Sequence, residues 1–178
     1  MMKEYIIRKV EWDKRNDAGV PIDCIEMMNY FNRALERGAY PLVPRTEPIT
    51  KEEIVNRWVP RIDKTITYIA EDNSSQKIIC GGTLFLDLEN KIGELSITKD
   101  VDYSVHGVGT DVTKAVIDEA LSRGITVSVH TSIYNKGMQR IMEKLGYAPN
   151  RVIRDYEKYR GKIKAKDLNV YEWIIRPN

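Results

Sequence analysis

Between Ile92 and His130 the chain passes from a strand pattern through a Gly-x-Gly turn into a helix pattern, then into a second strand. Ile92, Leu95 and Ile97 are the apolar members of the first strand. The turn reads Tyr103-Ser104-Val105-His106-Gly107-Val108-Gly109-Thr110. The helix behind it carries Val112, Val116 and Ala120 at i, i+4 and i+8, with Ala115, Ile117 and Leu121 widening the stripe. Arg123 suits the negative end of that helix, and Gly124 is placed to end it. Ile125 to His130 alternates and is rich in β-branched residues. Strand, helix and strand in that order predict a parallel crossover. A glycine turn at a helix start also has a chemical use. It lets an anion approach first-turn N–H groups that have no partner inside the helix. Such turns also serve purely structural roles, so this one admits a phosphate ligand without requiring it.

The remaining elements are read around this unit. Glu4 to Val10 reads as a strand and Pro21 to Arg37 as a helix, with Ile25, Met28, Phe31 and Leu35 as its apolar stripe and Gly38 at its end. A loop with Pro41, Pro44 and Pro48 follows. Thr50-Lys51-Glu52-Glu53 is a capping box that opens the next helix, which buries Ile54, Val55 and Trp58 and is expected to stop at Pro60. Thr65 to Ala70 and Lys77 to Leu88 flank the polar turn Asp72 to Ser75 as a hairpin, where Gly81 and Gly82 mark a bulge or a close approach. After the crossover, Asn135 precedes a short helix with Met138, Ile141, Met142 and Leu145 on one face, ended by Gly146. Arg151 to Tyr156 and Leu168 to Ile175 are two further strands. The fold class is mixed α/β, one domain over residues 1–178, antiparallel in front and crossed over behind.

Composition narrows the partners. With 30% charged and 42% hydrophobic residues this is an ordinary globular sequence. A formal charge of +2 lacks the basic field that nucleic-acid binding uses, and the run Arg160 to Lys166 reads as a solvated loop. Cys24 and Cys80 lack metal-ligand spacing and read as reduced core thiols. Two histidines make a histidine-rich metal site an unfavourable reading, so no metal is expected. No apolar run approaches the ~20 residues of a membrane span, and no signal-peptide core is visible, so the expectation is a cytoplasmic protein off the membrane.

The order of these parts resembles the GNAT superfamily of acyl-CoA-dependent N-acyltransferases. The family signature Gln/Arg-x-x-Gly-x-Gly/Ala is matched by Ser104-Val105-His106-Gly107-Val108-Gly109, with both glycines kept and Ser104 in the leading place. The second signature, an Asn before a helix ending in a Lys-Leu-Gly-Phe-like run, is matched from Asn135 to Lys144-Leu145-Gly146-Tyr147. Asn32, Glu47-Pro48, Thr50 to Glu53 and Trp58 look like the front of the phosphinothricin-acetyltransferase branch. The resemblance implies a central mixed sheet whose fourth and fifth strands splay, with helices on both faces, and an acetyl-CoA-dependent N-acetyltransferase. It also implies backbone groups of Ile97, Thr98 and Lys99 on the pantetheine. Amides of the loop from Ser104 and Val105 through His106, Gly107, Val108 and Gly109 to Thr110 would lie on the pyrophosphate. Asn135 would contact the pantetheine arm and Lys144 a CoA phosphate, each having a plain alternative as helix cap and solvated helix-end lysine.

By the same resemblance Glu94 is the first choice of general base, with a solvent-facing strand Glu as the alternative, and His130 is a second candidate. The family's acid Tyr falls on Met142, so either Tyr134 or Tyr147 substitutes or the thiolate leaves unassisted, an ordinary thiol having a pKa of ~8.5. A bulky residue at Gly109 is expected to occupy the anion's position. The acceptor, a small amine or amino-acid-like molecule, is expected against Tyr30, Phe31 and Tyr40, with Arg45 nearby. A protein N-terminus or lysine stays open, as does a homodimer. Two other readings stand beside the enzyme: an acyl-CoA sensor without catalysis, and a nucleotide binder. Against the latter, Thr110-Asp111 follow the glycines where a Walker lysine would stand.

Overall fold

A computed structural model describes residues 4–37, 47–100, 102–103, 105–154, 156 and 169–177. Seven strands make one sheet: β1 Tyr5–Lys9, β2 Thr65–Asp72, β3 Ile78–Asp87, β4 Ile92–Lys99, β5 Thr126–Ser132, β6 Arg151–Ile153 and β7 Val170–Ile175. Their order across the sheet is β1-β2-β3-β4-β5-β7-β6. The first four are antiparallel neighbours, the β4–β5 pair is parallel, and β7 returns antiparallel between β5 and β6. The parallel crossover expected from the sequence is carried by α3, Val108–Ser122, which ends at Gly124 in the left-handed region (φ 71°). α4, Lys136–Lys144, follows β5 and ends at Gly146 (φ 83°).

α3 and α4 cover one face of the sheet. Leu84, Leu95, Val116, Ile117, Val127, Val129, Met142 and Trp173 form the main buried cluster there. α3 can lie this close because β3 carries Gly82. A Cβ at that position would stand 2.7 Å from Ile97 Cδ1 and 2.8 Å from Val112 Cγ1. Close approach therefore explains Gly82, and the irregularity of the hairpin lies beyond the glycines, where Ala70↔Cys80 is followed by Glu71↔Ile78 and Ile79 is the extra residue of β3.

The other face is covered by α1, Ile22–Glu36. Its buried residues are Asp23, Cys24, Met27, Met28, Tyr30 and Ala34, so the helix is rolled by about one residue from the stripe read in the sequence. Phe31 and Leu35 flank the packed seam. Thr50 caps the next helix as expected, its hydroxyl accepting from the Glu53 amide at 3.2 Å. Pro60 does not end it. α2, Lys51–Glu53, widens into a π-helical turn over Ile54–Trp58 and tightens into a 3-10 segment over Val59–Lys64. Pro60 sits at the start of the 3-10 segment, where its missing N–H leaves no bond unmade. Cys24 and Cys80 are free and buried, and burial pushes Cys80 up to about 12, so neither thiol is reactive.

Candidate active site

Strands β4 and β5 pair only as Ile92↔Thr126, Gly93↔Val127 and Glu94↔Ser128. β4 then runs on to Lys99 and β5 to Ser132 without pairing each other, while β5 keeps β7 as partner through Ser132↔Val170. The sheet therefore opens into a wedge with Glu94 at its vertex. Asp100 N–H donates to Ile79 C=O at 2.8 Å, which fixes the alternation along β4. The backbone groups of Thr98 turn to β3, and those of Ile97 and Lys99 turn into the wedge. Of the three residues expected on the pantetheine, Thr98 is thus faced away, and its carbonyl also accepts the Tyr30 hydroxyl. Arg33 holds the same strand end, donating to buried Asp100 at 3.2 Å and to Ile78 C=O at 3.0 Å.

The wedge opens onto the N-terminus of α3. Gly107 caps it with φ 85°, a left-handed conformation that a side chain would strain, and no side chain caps the helix there. The Asp111 amide closes on Gly107 C=O, so the amides of Val108, Gly109 and Thr110 lead the helix without an intrahelical acceptor. Lys99 Nζ donates to Val105 C=O at 3.0 Å and ties the loop to β4. A cavity of about 560 Å³ lies here, lined by Ile97, the 105–110 loop and the α4 residues Gly137, Arg140, Ile141 and Lys144. Its charged lining is Lys99, Arg140 and Lys144, with His106 beside them and no carboxylate among the described residues. A polyanion would be held both by the helix dipole and by these cations. Arg140 was missed by sequence reading, although Arg140 and Lys144 stand four apart on one helix face. Asn135 borders the cavity while capping α4, accepting from the Met138 amide at 3.1 Å and donating to Thr131 Oγ1 at 3.0 Å. Gly109 lines this same cavity and faces α4 across it. A Cβ there would lie 3.0 Å from Ile141 Cδ1, so substitution presses on the cavity wall.

On the opposite face of the sheet four charged groups line up across the vertex. His130 Nδ1 stands 3.5 Å from Glu94 Oε1, and Nε2 stands 3.1 Å from Glu172 Oε1. Arg151 completes the row with Nε 2.5 Å from Glu172 Oε2, and the ring of Tyr156 packs against the imidazole at 5.3 Å. Burial works against charging His130, but the contacts with Glu94 and Glu172 outweigh it and raise its pKa above the ordinary 6.5. Arg151, aided by His130 and opposed by burial, holds Glu172 below the ordinary 4.5. A pKa raised by folding stabilises the fold below the unfolded value and loses that effect as pH climbs through the folded one. A lowered carboxylate does the reverse, so this row is strongest in mildly acidic solution. The melting-temperature gap between the protein and His130→Asn is expected to be widest near about pH 6 and to narrow toward about pH 9. A gap that stayed constant over that range would contradict the arrangement.

The family model for the acetyltransferase (GNAT) family matches residues 28–147, more than half of the chain. The chain belongs to the GNAT acetyltransferase family. Solved structures agree on the fold. A GNAT-family acetyltransferase from Streptococcus pneumoniae superposes with a TM-score of 0.71 at 21% identity, over 97% of this chain and 100% of that one. A GNAT phosphinothricin acetyltransferase from Sinorhizobium meliloti, in complex with AcCoA, gives 0.70 at 11% identity, over 98% and 88%. The ribosomal-protein-S5-alanine acetyltransferase of Vibrio fischeri gives 0.70 at 14% identity, over 98% and 95%. No curated protein sequence matches the chain.

GNAT membership gives the remaining expected residues a frame. Tyr134 is 79% exposed on the loop after β5, whereas Met142, at the family's Tyr place, is fully buried in the core. Tyr30, expected at the acceptor surface, is wholly buried with its hydroxyl on Thr98, and so acts as a strut behind β4. Phe31, one residue on, faces a second cavity of about 310 Å³ on the α1 side of the sheet. Tyr40, Arg45 and Ser104 lie outside the described residues. Among those described, no group of three His, Cys, Asp or Glu side chains is placed to hold a metal, and no helix is long and apolar enough to cross a membrane.

Proposed function

We propose that this GNAT protein transfers an acetyl group from acetyl-CoA to a small primary amine by direct attack in a ternary complex. The observation that carries the reading is the wedge: the β4–β5 ladder stops at Glu94↔Ser128, beside a cavity whose charged lining is cationic. The pantetheine arm would enter the wedge as a pseudo-strand on the open amides of Ile97 and Lys99. The pyrophosphate would meet the amides of Val108 to Thr110, with Arg140 and Lys144 taking further phosphate charge. The acceptor amine approaches from the α1 side. Its nitrogen bonds to the acetyl carbon, the carbon–sulfur bond breaks, the amine proton passes to Glu94, and the CoA thiolate departs. Exposed Tyr134 is the described tyrosine assigned to return a proton to it. His130 tunes the base. Its own pKa is raised in part by Glu94, so a charged imidazole stands beside the carboxylate until pH climbs through that step.

Binding is tested by thermal denaturation with acetyl-CoA. At a hundredfold excess over Kd the complex gains about 2.7 kcal/mol, a melting-point rise of roughly 5–10 °C for a chain of this size. Arg140→Ala and Lys144→Ala, both at exposed positions, are each expected to weaken acetyl-CoA about three- to tenfold, more at low salt than at high salt. An unmoved melting point with acetyl-CoA would end the proposal. A clear rise without thiol release across an amine panel would favour the CoA-binding module, for which buried Met142 in place of the family Tyr is the supporting observation.

A further inference from the structure

The cavity on the α1 side has a distinct chemical character. Trp12, Phe31, Trp58 and Phe85 wall it, and the hydroxyls of Thr67 and Thr83, 3.3 Å apart, form its floor. Phe31 meets Trp58 edge-on at 5.4 Å and 88°. Phe85 is 56% exposed although nothing about a strand demands a large apolar side chain in water. Its cross-strand partners are Glu94 on one side and Thr65 on the other, so a line across the sheet runs Glu94, Phe85, Thr65. Arg61 lies in the turn just before Thr65 and lines the same cavity. Two strand spacings, about 10 Å, therefore separate the Glu94 strand from β2, and Arg61 lies in the segment that leads into β2. Arg57 at the rim is already paired with Glu53 at 3.4 Å, whereas Arg61 makes no ion pair among the described residues.

From this row we infer that the acceptor is an arylalkyl primary amine with an anionic far end: its amine at Glu94, its ring across Phe85 and its anion at Arg61. The inference rests on the acetyltransferase reading for the reaction, and on the cavity alone for the occupant. A cavity of about 310 Å³ is at the small end of ligand sites and suits one ring with short arms. Aromatic walls favour a flat apolar body by stacking and by area, and offer little to a short polar amino acid.

The chain supplies its own reporter. Of its three tryptophans, Trp12 and Trp58 line this cavity, while Trp173 is 2% exposed in the core on the other face. Titrating the full-length protein with 4-(2-aminoethyl)benzoate is expected to change tryptophan fluorescence saturably. Phenethylamine should do so at about tenfold higher concentration, and glycine not at all. Trp58→Phe should remove much of the signal. Arg61→Ala, an exposed position, should raise the Kd and KM for 4-(2-aminoethyl)benzoate about tenfold more than those for phenethylamine. The two readings fail separately. If acetyl-CoA still raises the melting point but glycine or N-terminal peptides are acetylated and the arylalkylamines neither quench nor react, the acceptor class is wrong and the enzyme stands. If the arylalkylamines bind but acetyl-CoA leaves the melting point unmoved, the cavity binds its ligand and the acceptor role is overturned. An equal effect of Arg61→Ala on both amines would refute the anionic end.

Discussion

Replacing Glu94 by glutamine is expected to lower kcat at pH 7 by about a hundredfold or more, the usual worth of a positioned general base. Acetyl-CoA should still raise the melting point, because the wedge amides and the cations of the α3–α4 cavity are untouched. The reason is geometric. Glu94 is the last β4 residue that the parallel ladder pairs, so its side chain emerges where the sheet opens, on the face from which an amine can arrive. An alkylammonium group has a pKa near ~10.4, and the nitrogen must lose its proton for the reaction to complete. A glutamine keeps the shape, accepts no proton, and leaves His130 facing an uncharged neighbour. The same variant should therefore lower the His130 titration midpoint. With two histidines in the chain, proton NMR can follow it directly. Full turnover in Glu94→Gln would make this residue a bystander. Lost turnover with an unmoved His130 midpoint would separate catalysis from the charged row.

Gly82→Val is expected to cost about 3 kcal/mol, a fall in melting temperature of roughly 6–12 °C. The new Cβ alone would press on Ile97 at 2.7 Å, Val112 at 2.8 Å and Val116 at 3.2 Å, and two of those side chains are fully buried on α3. A valine adds two further methyl groups where close packing has left no room. Ile97 also lines the α3–α4 cavity, so the strain is passed to the CoA side and acetyl-CoA binding should weaken with stability. Gly81→Ala is the internal control. Its Cβ would find only Tyr30 Cε1 at 3.4 Å and Ile69 Cγ2 at 4.0 Å, which is ordinary contact, and its melting temperature should change little. Similar losses at the two neighbouring positions would show that general strand propensity, and not the approach of α3, explains this dipeptide.

Much of this could be read from residues close together in the chain. Thr50 caps toward Glu53 and Asn135 toward Met138, because a cap reaches only three residues along. Gly124 and Gly146 end their helices in the left-handed region for the same local reason. The α1 seam departs from the periodic stripe because the helix is apolar over a wide arc. Ile25 and Phe31 satisfy a helical period as well as Met27 and Tyr30 do, and only the sheet beneath decides which set is buried. Pro60 does not end the segment, since a π turn followed by a 3-10 segment accepts a proline that an α-helix would not.

Local order along the chain settled the strand–turn–helix–strand unit, the helix caps and the glycine-led N-terminus of α3, since each depends on neighbours within a few residues and on backbone sterics. Tertiary packing alone decided where the sheet parts, which face receives Glu94, and that His130, Glu172 and Arg151 would join it. Those contacts span tens of residues and follow from β7 entering beside β5, a pairing whose register is set by how two sheet faces bury their side chains at once.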